Sequence, residues 1–227
     1  ICAGKLRRRN VTLVRSVATE ACRSAANGRA FVDRVRAETG IALDIIPARE
    51  EARLAVLGCH ALLEEGAGPA LVFDIGGGST ELVLIEPDGD QPRILAWHSA
   101  PWGVVSLSEA EPVATDDLDG RVLAYDRMRQ RVAAAFTGFA AGLEPPAVPR
   151  LLGTSGTVTT LASVHLGLPS YERRAVDGLH VPVDAMRGIC AMLKARSVAE
   201  RATLPCIGQE RADLVVAGCA ILEAILD

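Results

Sequence analysis

Two apolar runs joined by three consecutive glycines constrain this chain more than any other feature of its sequence. Residues 70–86 read ALVFDIGGGSTELVLIE, and each run is short and rich in Val, Ile, Leu and Phe. Short apolar runs bounded by turn residues are typical of buried strands. We therefore predict a strand, a turn and a second strand, with Asp74 and Glu81 at the two ends of the turn.

The glycine turn is suited to binding an anion. Glycines allow positive φ and let backbone N–H groups converge on a phosphate, where side chains would block the approach. A P-loop is excluded because the sequence contains no Gly-Lys-Ser/Thr, and a dinucleotide fingerprint would need a helix after the glycines. A plain hairpin is the alternative interpretation, although a hairpin needs at most one or two glycines. Carboxylates on both sides repel phosphate unless a cation bridges them, so the pattern indicates Mg²⁺.

Two further segments are candidates for phosphate binding or catalysis. Residues 153–157, GTSGT, run from a predicted strand into a predicted helix, so their N–H groups and hydroxyls are suited to another anion or a nucleotide. Together with the glycine turn they predict a cleft between two phosphate-holding loops. Glu50 and Glu51 begin another predicted helix, where the helix dipole favours ionised carboxylates. On the residues alone, simple dipole complementarity is the favoured interpretation of this pair.

The order of the predicted elements is that of an α/β protein. With 227 residues the chain has room for one large domain or two small ones. The Gly- and Pro-containing join at 66–69 predicts the boundary, which gives lobes at 1–68 and 69–227. The first lobe contains strands at 11–18 and 41–46 and helices at 27–40 and 50–65; the second adds to the glycine turn strands at 93–100 and 151–152 and helices at 121–143, 158–166, 184–196 and 209–226.

Composition excludes several classes of protein. Hydrophobic residues make up 49% of the chain and charged residues 23%, which is ordinary globular usage and excludes a disordered or fibrous chain. Six cysteines without a CxxC pair argue against a disulfide framework and against metal binding through sulfur. No apolar run approaches the roughly 18 residues of a membrane helix. We therefore expect a cytoplasmic protein with no membrane partner.

Charge is spread unevenly along the chain. Residues 1–40 contain nine Lys or Arg against three Asp or Glu, which suits a polyanionic partner, although a solvated helix face is the favoured alternative. Aromatic residues make up only 4% of the chain. Few stacking platforms argue against single-stranded nucleic acid as the partner.

Five motifs together resemble those of the Ppx/GppA phosphatase family, whose members include exopolyphosphatases. They are VATEACRSAAN at 17–27, REEARLAVLG at 49–58, DIGGGSTEL at 74–82, GTSGTVTTLA at 153–162 and RADLVVAG at 211–218. They occur in family order over nearly the whole chain. The resemblance implies an α/β, two-lobed actin-like ATPase fold of the sugar kinase, Hsp70 and actin type, which is ribonuclease H-like. It also implies Mg²⁺-dependent hydrolysis of the terminal phosphate of inorganic polyphosphate.

The resemblance also implies roles for individual residues. Glu51 matches the second glutamate of the family's EEAR motif, which makes it the expected general base. Asp74 and Glu81 are the expected magnesium ligands. The residues expected to bind substrate phosphates are Gly76, Gly77, Gly78, Ser79, Arg23, Gly153, Ser155, Gly156, Thr157 and Arg211.

Two departures from the family pattern accompany these matches. The Ser-Gly that usually precedes the glutamate pair is replaced by Pro47, Ala48 and Arg49. The family's N-terminal phosphate loop, Asp-x-Gly-(Ser/Thr)-Asn-Ser, does not occur in the sequence, so we expect a first lobe that is incomplete at its N-terminus. Two other functions stay open: a guanosine pentaphosphate 5′-phosphohydrolase with the same site, and a non-catalytic member that binds polyanions or nucleotides. A homodimer is also an open alternative.

Overall fold

The chain divides into two compact units. The computed structural model describes residues 1–63, 66, 68–87, 92–115, 117–143 and 150–227. Its units are Ile1–Arg53 and Leu54–Asp227, and each is described separately below.

The first unit is a small α/β layer with two parallel strands. Its elements are α1 (Cys2–Arg8), β1 (Ser16–Ala18), α2 (Glu20–Ser24), α3 (Gly28–Thr39), β2 (Leu43–Ile45) and α4 (Ala48–Cys59). Helix α3 ends at Gly40, whose φ of +76° is a left-handed conformation that glycine adopts without strain. The predicted order of strand, helix, strand and helix is therefore confirmed. The strand predicted at 11–18 is shorter than expected, because only its last three residues pair with β2.

The two units divide earlier than the boundary predicted at 66–69. The division lies inside α4, between Arg53 and Leu54. Within the second unit, Val56 and Cys59 of this helix are buried, and Cys59 shares the wall of a cavity with Phe73. The last turns of α4 therefore pack with the second unit. The predicted end of this helix near Glu65 lies outside the described residues.

The second unit is built on a mixed four-stranded sheet in the order β5-β4-β3-β6. The strands are β3 (Ala70–Ile75), β4 (Thr80–Glu86), β5 (Arg93–Ala100) and β6 (Leu151–Thr154). Strand β4 is antiparallel to both β3 and β5, whereas β6 is parallel to β3. The predicted strand, turn and strand at 70–86 and the third strand at 93–100 are confirmed.

Seven helices accompany this sheet in the described part of the second unit. They are α5 (Val104–Ala110), α6 (Leu118–Ala140), α7 (Ser155–His165), α8 (Arg173–Val176), α9 (Val183–Ala195), α10 (Val198–Ala202) and α11 (Val215–Leu226), and a short 3-10 turn (His60–Leu62) follows α4. Leu71, Phe73 and Ile75 alternate along β3 and pack in one core with buried residues of α6, α9 and α11. None of the helices in the described part of the chain is long and apolar enough to cross a membrane.

The last helix begins later than predicted. Residues 209–214 form turns, and α11 starts at Val215 rather than near residue 209. The buried guanidinium of Arg201 donates a hydrogen bond to the carbonyl of Ala212 at 2.6 Å. This contact ties the turn before Val215 to α10.

Candidate functional site

Asp74 and Glu81 lie directly opposite each other on β3 and β4. Directly paired residues of neighbouring strands project from the same face, with Cβ atoms about 5 Å apart. Glu81 is 2% exposed and accepts a hydrogen bond from Ser99 Oγ at 2.9 Å. Asp74 is half-buried and pairs on its other side with Thr154 of β6. Strand pairing therefore brings the two predicted metal ligands together at the end of β3.

This pair fits a magnesium ion by its chemistry. Two carboxylates facing each other repel, and burial of Glu81 strengthens the repulsion because fewer water molecules screen it. Mg²⁺ is usually held by one or two carboxylates, completed by water and phosphate oxygens. The described residues contain no group of three or more His, Cys, Asp or Glu that could hold a metal. The remaining ligands would therefore be water and substrate, and the metal stays a prediction.

The turn between β3 and β4 presents backbone amides. It is closed by a hydrogen bond from the Gly76 amide to the Ser79 carbonyl at 3.0 Å. Its first two carbonyls accept hydrogen bonds, at 2.9 and 2.8 Å, from the first two amides of α5. Within the described residues, the amides of Gly77, Gly78 and Ser79 have no hydrogen-bond acceptor. The turn therefore offers three donors for an anion, which is the arrangement expected of a phosphate loop.

The glycines of this turn serve a different purpose from the one expected. None of the three has a positive φ, so the expectation that they provide left-handed backbone is wrong. At position 76 glycine is instead favoured over larger residues for steric reasons, since a Cβ there would lie 3.1 Å from the Ser79 carbonyl oxygen.

The second predicted loop contains a strained residue. Ser155, where β6 runs into α7, has a φ of +78°. A left-handed conformation outside glycine costs on the order of 1 kcal/mol, and such residues cluster at functional sites. Gly153 has a structural reason to be glycine, because a Cβ there would lie 2.5 Å from the ring of Phe73. The start of α7 also leaves first-turn amides available to an anion.

One cavity of about 240 Å³ joins the two loops. Its wall contains six of the residues predicted to bind phosphate, whereas Gly78, Ser79 and Gly153 do not line it. The lining residues are Ile75, Gly76, Gly77, Val104, Ser155, Gly156, Thr157, Thr160, Arg211, Leu214 and Val215. The loops meet because β6 is the parallel neighbour of β3, and parallel strands end at the same edge of a sheet.

Arg211 places a positive charge at this cavity. Its Nη1 donates hydrogen bonds to Thr160 Oγ1 at 2.6 Å and to the Gly156 carbonyl at 3.2 Å. These contacts hold the guanidinium beside the first turn of α7. The bond from buried Arg201 to the neighbouring Ala212 carbonyl holds the turn that carries Arg211. The buried position of Arg201 was not predicted from the sequence, because an arginine in a short helix is ordinarily solvated.

Glu51 has an arginine partner within the first unit. Arg23 Nη1 lies 2.8 Å from Glu51 Oε2, and the side chains are 18% and 19% exposed. The same guanidinium contacts Glu20 at 2.8 Å and donates to the Ile46 carbonyl at 2.8 Å. Three acceptors therefore orient Arg23, which in turn orients Glu51. The phosphate contact predicted for Arg23 stays a prediction.

Glu50 differs from Glu51 in its surroundings. Arg53 binds it at 2.8 Å and Arg15 at 3.4 Å. Hydrogen bonds from Arg53 and then Arg15 lower the pKa of Glu50 to about 2. Both glutamates are thus ion-paired with arginine, and the general-base role of Glu51 stays a prediction.

The segment that contacts the glycine turn at 76–79 was not predicted from the sequence. Gly103 is buried where the chain enters α5, and Ser106 Oγ lies 3.2 Å from the Gly78 carbonyl oxygen. The only local signal was a glycine between Trp102 and an apolar run, which does not reveal the distant partner.

The chain matches the sequence model of the Ppx/GppA phosphatase family over residues 2–227. It is 29% identical over 221 residues to Exopolyphosphatase 2 of Mycobacterium tuberculosis, an alignment that covers 93% of this chain and 66% of that protein. It aligns with the crystal structure of an exopolyphosphatase-like protein at a TM-score of 0.88 and 28% identity, over 99% of this chain and 70% of the other. It aligns with the crystal structure of the Aquifex aeolicus member of the Ppx/GppA family at a TM-score of 0.77 and 27% identity, over 99% of this chain and 70% of the other.

The chain thus spans just under two thirds of the length of the curated relative. The predicted α/β fold is confirmed, and the structural match to the Aquifex protein shows that it is the fold of the Ppx/GppA family. Since the family model covers all but the first residue, the chain belongs to the Ppx/GppA phosphatase family.

Proposed function

We propose that this protein is a phosphoanhydride hydrolase that removes the terminal phosphate of inorganic polyphosphate with the help of Mg²⁺. The observation that carries the proposal is the cavity on which Arg211 and two loops with backbone amides converge. Donors fixed in advance stabilise the charge that develops on a transferring phosphoryl group, because they need not reorganise during the reaction. The name of the Mycobacterium tuberculosis relative supports the same class of reaction.

Each group in the proposal has one task. The amides of Gly77, Gly78 and Ser79 and the guanidinium of Arg211 bind phosphoryl oxygens. Mg²⁺ held by Asp74 and Glu81 would neutralise charge on the bound phosphates. Glu51 accepts a proton from the attacking water; the new bond joins the water oxygen to phosphorus, and the broken bond frees the shortened polyphosphate.

Polyphosphate is the preferred substrate class. None of the described residues that line the cavity is aromatic, so a nucleobase would find no stacking partner there. Backbone amides bind phosphate oxygens regardless of what the phosphate is attached to. These features suit a repeating phosphate chain better than a guanosine nucleotide.

Phosphate release from long-chain polyphosphate and from guanosine pentaphosphate, measured side by side with Mg²⁺, tests the proposal. We expect faster release from polyphosphate, and Arg211→Gln to lower kcat/KM for it at least about tenfold, as expected for loss of a charge-assisted hydrogen bond. The matched control is Arg173→Gln, which removes an arginine from an exposed ion pair with Asp177. Preferential release from the nucleotide would support the pentaphosphate hydrolase instead. Tight binding of both without release would support the non-catalytic alternative.

A further inference from the structure

The turn at 76–79, called the phosphate loop from here on, has carbonyl groups that face a segment that the proposed mechanism does not use. The first two amides of α5 donate to the carbonyls of Gly76 and Gly77 at 2.9 and 2.8 Å. The hydroxyl of Ser106 lies 3.2 Å from the carbonyl oxygen of Gly78 and donates to it. Three consecutive carbonyls are thus held on one side of the loop.

Because each peptide unit is rigid, holding its carbonyl also fixes the direction of its N–H group. A trans peptide unit is planar, and its N–H points away from its C=O. The three units whose carbonyls are held carry the N–H groups of Gly77, Gly78 and Ser79. Within the described part of the chain, none of these three amides donates to a hydrogen-bond acceptor. Fixing the carbonyls therefore directs all three amides to the opposite side.

Gly103 allows the two backbones to approach. Its φ of −116° and ψ of −177° are extended, so any residue could adopt them. A Cβ at this position would nevertheless lie 2.4 Å from the Gly77 carbonyl carbon and 2.5 Å from the carbonyl oxygens of Gly76 and Gly77. All three are backbone atoms, which cannot rotate away as a side chain can. Any side chain at position 103 must therefore displace the loop.

The same segment is anchored to the sheet and to α6. The Trp102 carbonyl accepts a hydrogen bond from Thr80 Oγ1 at 2.7 Å. The Arg131 guanidinium lies 5.1 Å from the centre of the Trp102 ring, and it pairs with Glu111. Hydrogen bonds from Arg131 and then Arg127 lower the pKa of Glu111, which keeps this partner ionised. The segment is therefore supported by the first residue of β4 and by α6.

We propose that residues 102–106 act as a clamp that positions the phosphate loop for anion binding, with Gly103 and Ser106 as its positioning residues. The clamp holds the loop carbonyls so that the amides are directed at a phosphoryl group before it arrives. This inference rests on the proposed function in one respect, namely that the loop binds phosphate.

Binding of tripolyphosphate at a fixed Mg²⁺ concentration, measured by calorimetry on the folded protein, tests the clamp. Ser106→Ala removes the hydroxyl that reaches the Gly78 carbonyl, and we expect affinity to fall about five- to tenfold, the usual effect of one hydrogen bond. Ser106→Thr restores the hydroxyl and should restore affinity. Rescue by threonine separates loop positioning from a general packing defect.

A second comparison uses two equally crowded glycines of the same unit. We expect Gly103→Ala to lower kcat on polyphosphate at least about 100-fold, the usual effect of losing a fixed donor at a reacting group. A Cβ at Gly120 would lie 2.3 Å from the Thr115 carbonyl oxygen, at the start of α6. Gly120→Ala should therefore lower the melting temperature while leaving the affinity of the folded protein for tripolyphosphate near the wild-type value.

The outcomes separate the clamp from the proposed function. If Ser106→Ala binds tripolyphosphate as tightly as the wild-type protein does, the clamp is overturned, even if Gly103→Ala fails to fold. Weaker binding in Ser106→Ala that Ser106→Thr restores supports the clamp, even if the wild-type protein releases no phosphate and the proposed hydrolase activity fails. Weaker binding that threonine does not restore overturns the clamp. A wild-type protein that does not bind tripolyphosphate overturns both.

Discussion

The opposed carboxylates on β3 and β4 predict a protein whose stability responds to magnesium. Asp74 and Glu81 are direct cross-strand neighbours, so their Cβ atoms lie about 5 Å apart, and we take about 5 Å as the separation of their charges. At an effective dielectric constant of about 20, two like charges at that separation repel by about 3 kcal/mol. Glu81→Gln removes this repulsion and weakens the hydrogen bond from Ser99 by about 1 kcal/mol. The net expectation is a metal-free protein about 2 kcal/mol more stable.

Thermal unfolding at pH 8 measures both halves of this prediction. For a chain of this size, 1 kcal/mol shifts Tm by about 2–4 °C, so Glu81→Gln should raise the metal-free Tm by about 4–8 °C. Magnesium at 100 times its Kd should stabilise the wild-type protein by about 2.7 kcal/mol, or about 5–10 °C. In Glu81→Gln and Asp74→Asn the magnesium-induced shift should disappear, because one carboxylate leaves the cation poorly coordinated.

Glu86 provides the matched control. It lies on the same strand, its side chain is 45% exposed, and it pairs with Arg93 at the surface. Glu86→Gln should therefore keep the full magnesium-induced shift in Tm, since exposed ion pairs contribute little. Equal shifts in the wild-type protein, Asp74→Asn and Glu81→Gln would refute the assignment of these carboxylates as the metal site.

Three further perturbations follow from the described contacts. Glu51→Gln should lower turnover about 100-fold with little change in tripolyphosphate affinity, whereas Glu50→Gln should stay within a few-fold of wild type; steady-state kinetics showing the reverse would exchange their roles. Gly218→Ala should destabilise the protein by about 1–3 kcal/mol in urea unfolding, because a Cβ there would lie 2.5 Å from a threonine methyl group at the start of α7. The control is Gly188→Ala, because Gly188 has open space around it. Equal stabilities of the two variants would contradict the close packing at Gly218. The arginine partners of Glu111 on α6 lower its pKa in the folded state, so the stability that this carboxylate contributes is present above the ordinary carboxyl pKa and is lost as pH falls through the folded-state pKa. Glu111→Gln should therefore be less stable than the wild-type protein at pH 7. A stability difference that persists unchanged to pH 2 would argue against this ion pairing.

Local features of the chain could be predicted from the sequence with little error. The glycine turn between β3 and β4, the end of α3 at Gly40 and the α/β order of elements depend on interactions between residues close in sequence. The same is true of β5, whose bounds match the predicted strand. Nearest-neighbour sterics and apolar periodicity determine such elements, and both can be read from a short window.

Other features depend on which distant segments meet, and only the tertiary structure decided them. Strand β1 has three residues rather than eight, because its length is set by a partner far along the chain. The left-handed residue of the site is Ser155 and not one of the glycines at 76–78, although glycine adopts this conformation more readily than serine. Likewise, the turn that precedes α11 is contacted by the buried Arg201 of another helix, which no short window of the sequence reveals.

The candidate site divides along the same line. The sequence by itself determined the chemical groups, since the motifs around Glu51, Asp74 and Arg211 can be recognised without coordinates. The fold decided their arrangement: the cross-strand register that opposes two carboxylates, the parallel pairing of β3 with β6 that joins two loops on one cavity, and the contact of Gly103 with the phosphate loop. The physical reason is that hydrogen bonds and close packing between segments distant in sequence form only when the whole core closes, so no local window contains them.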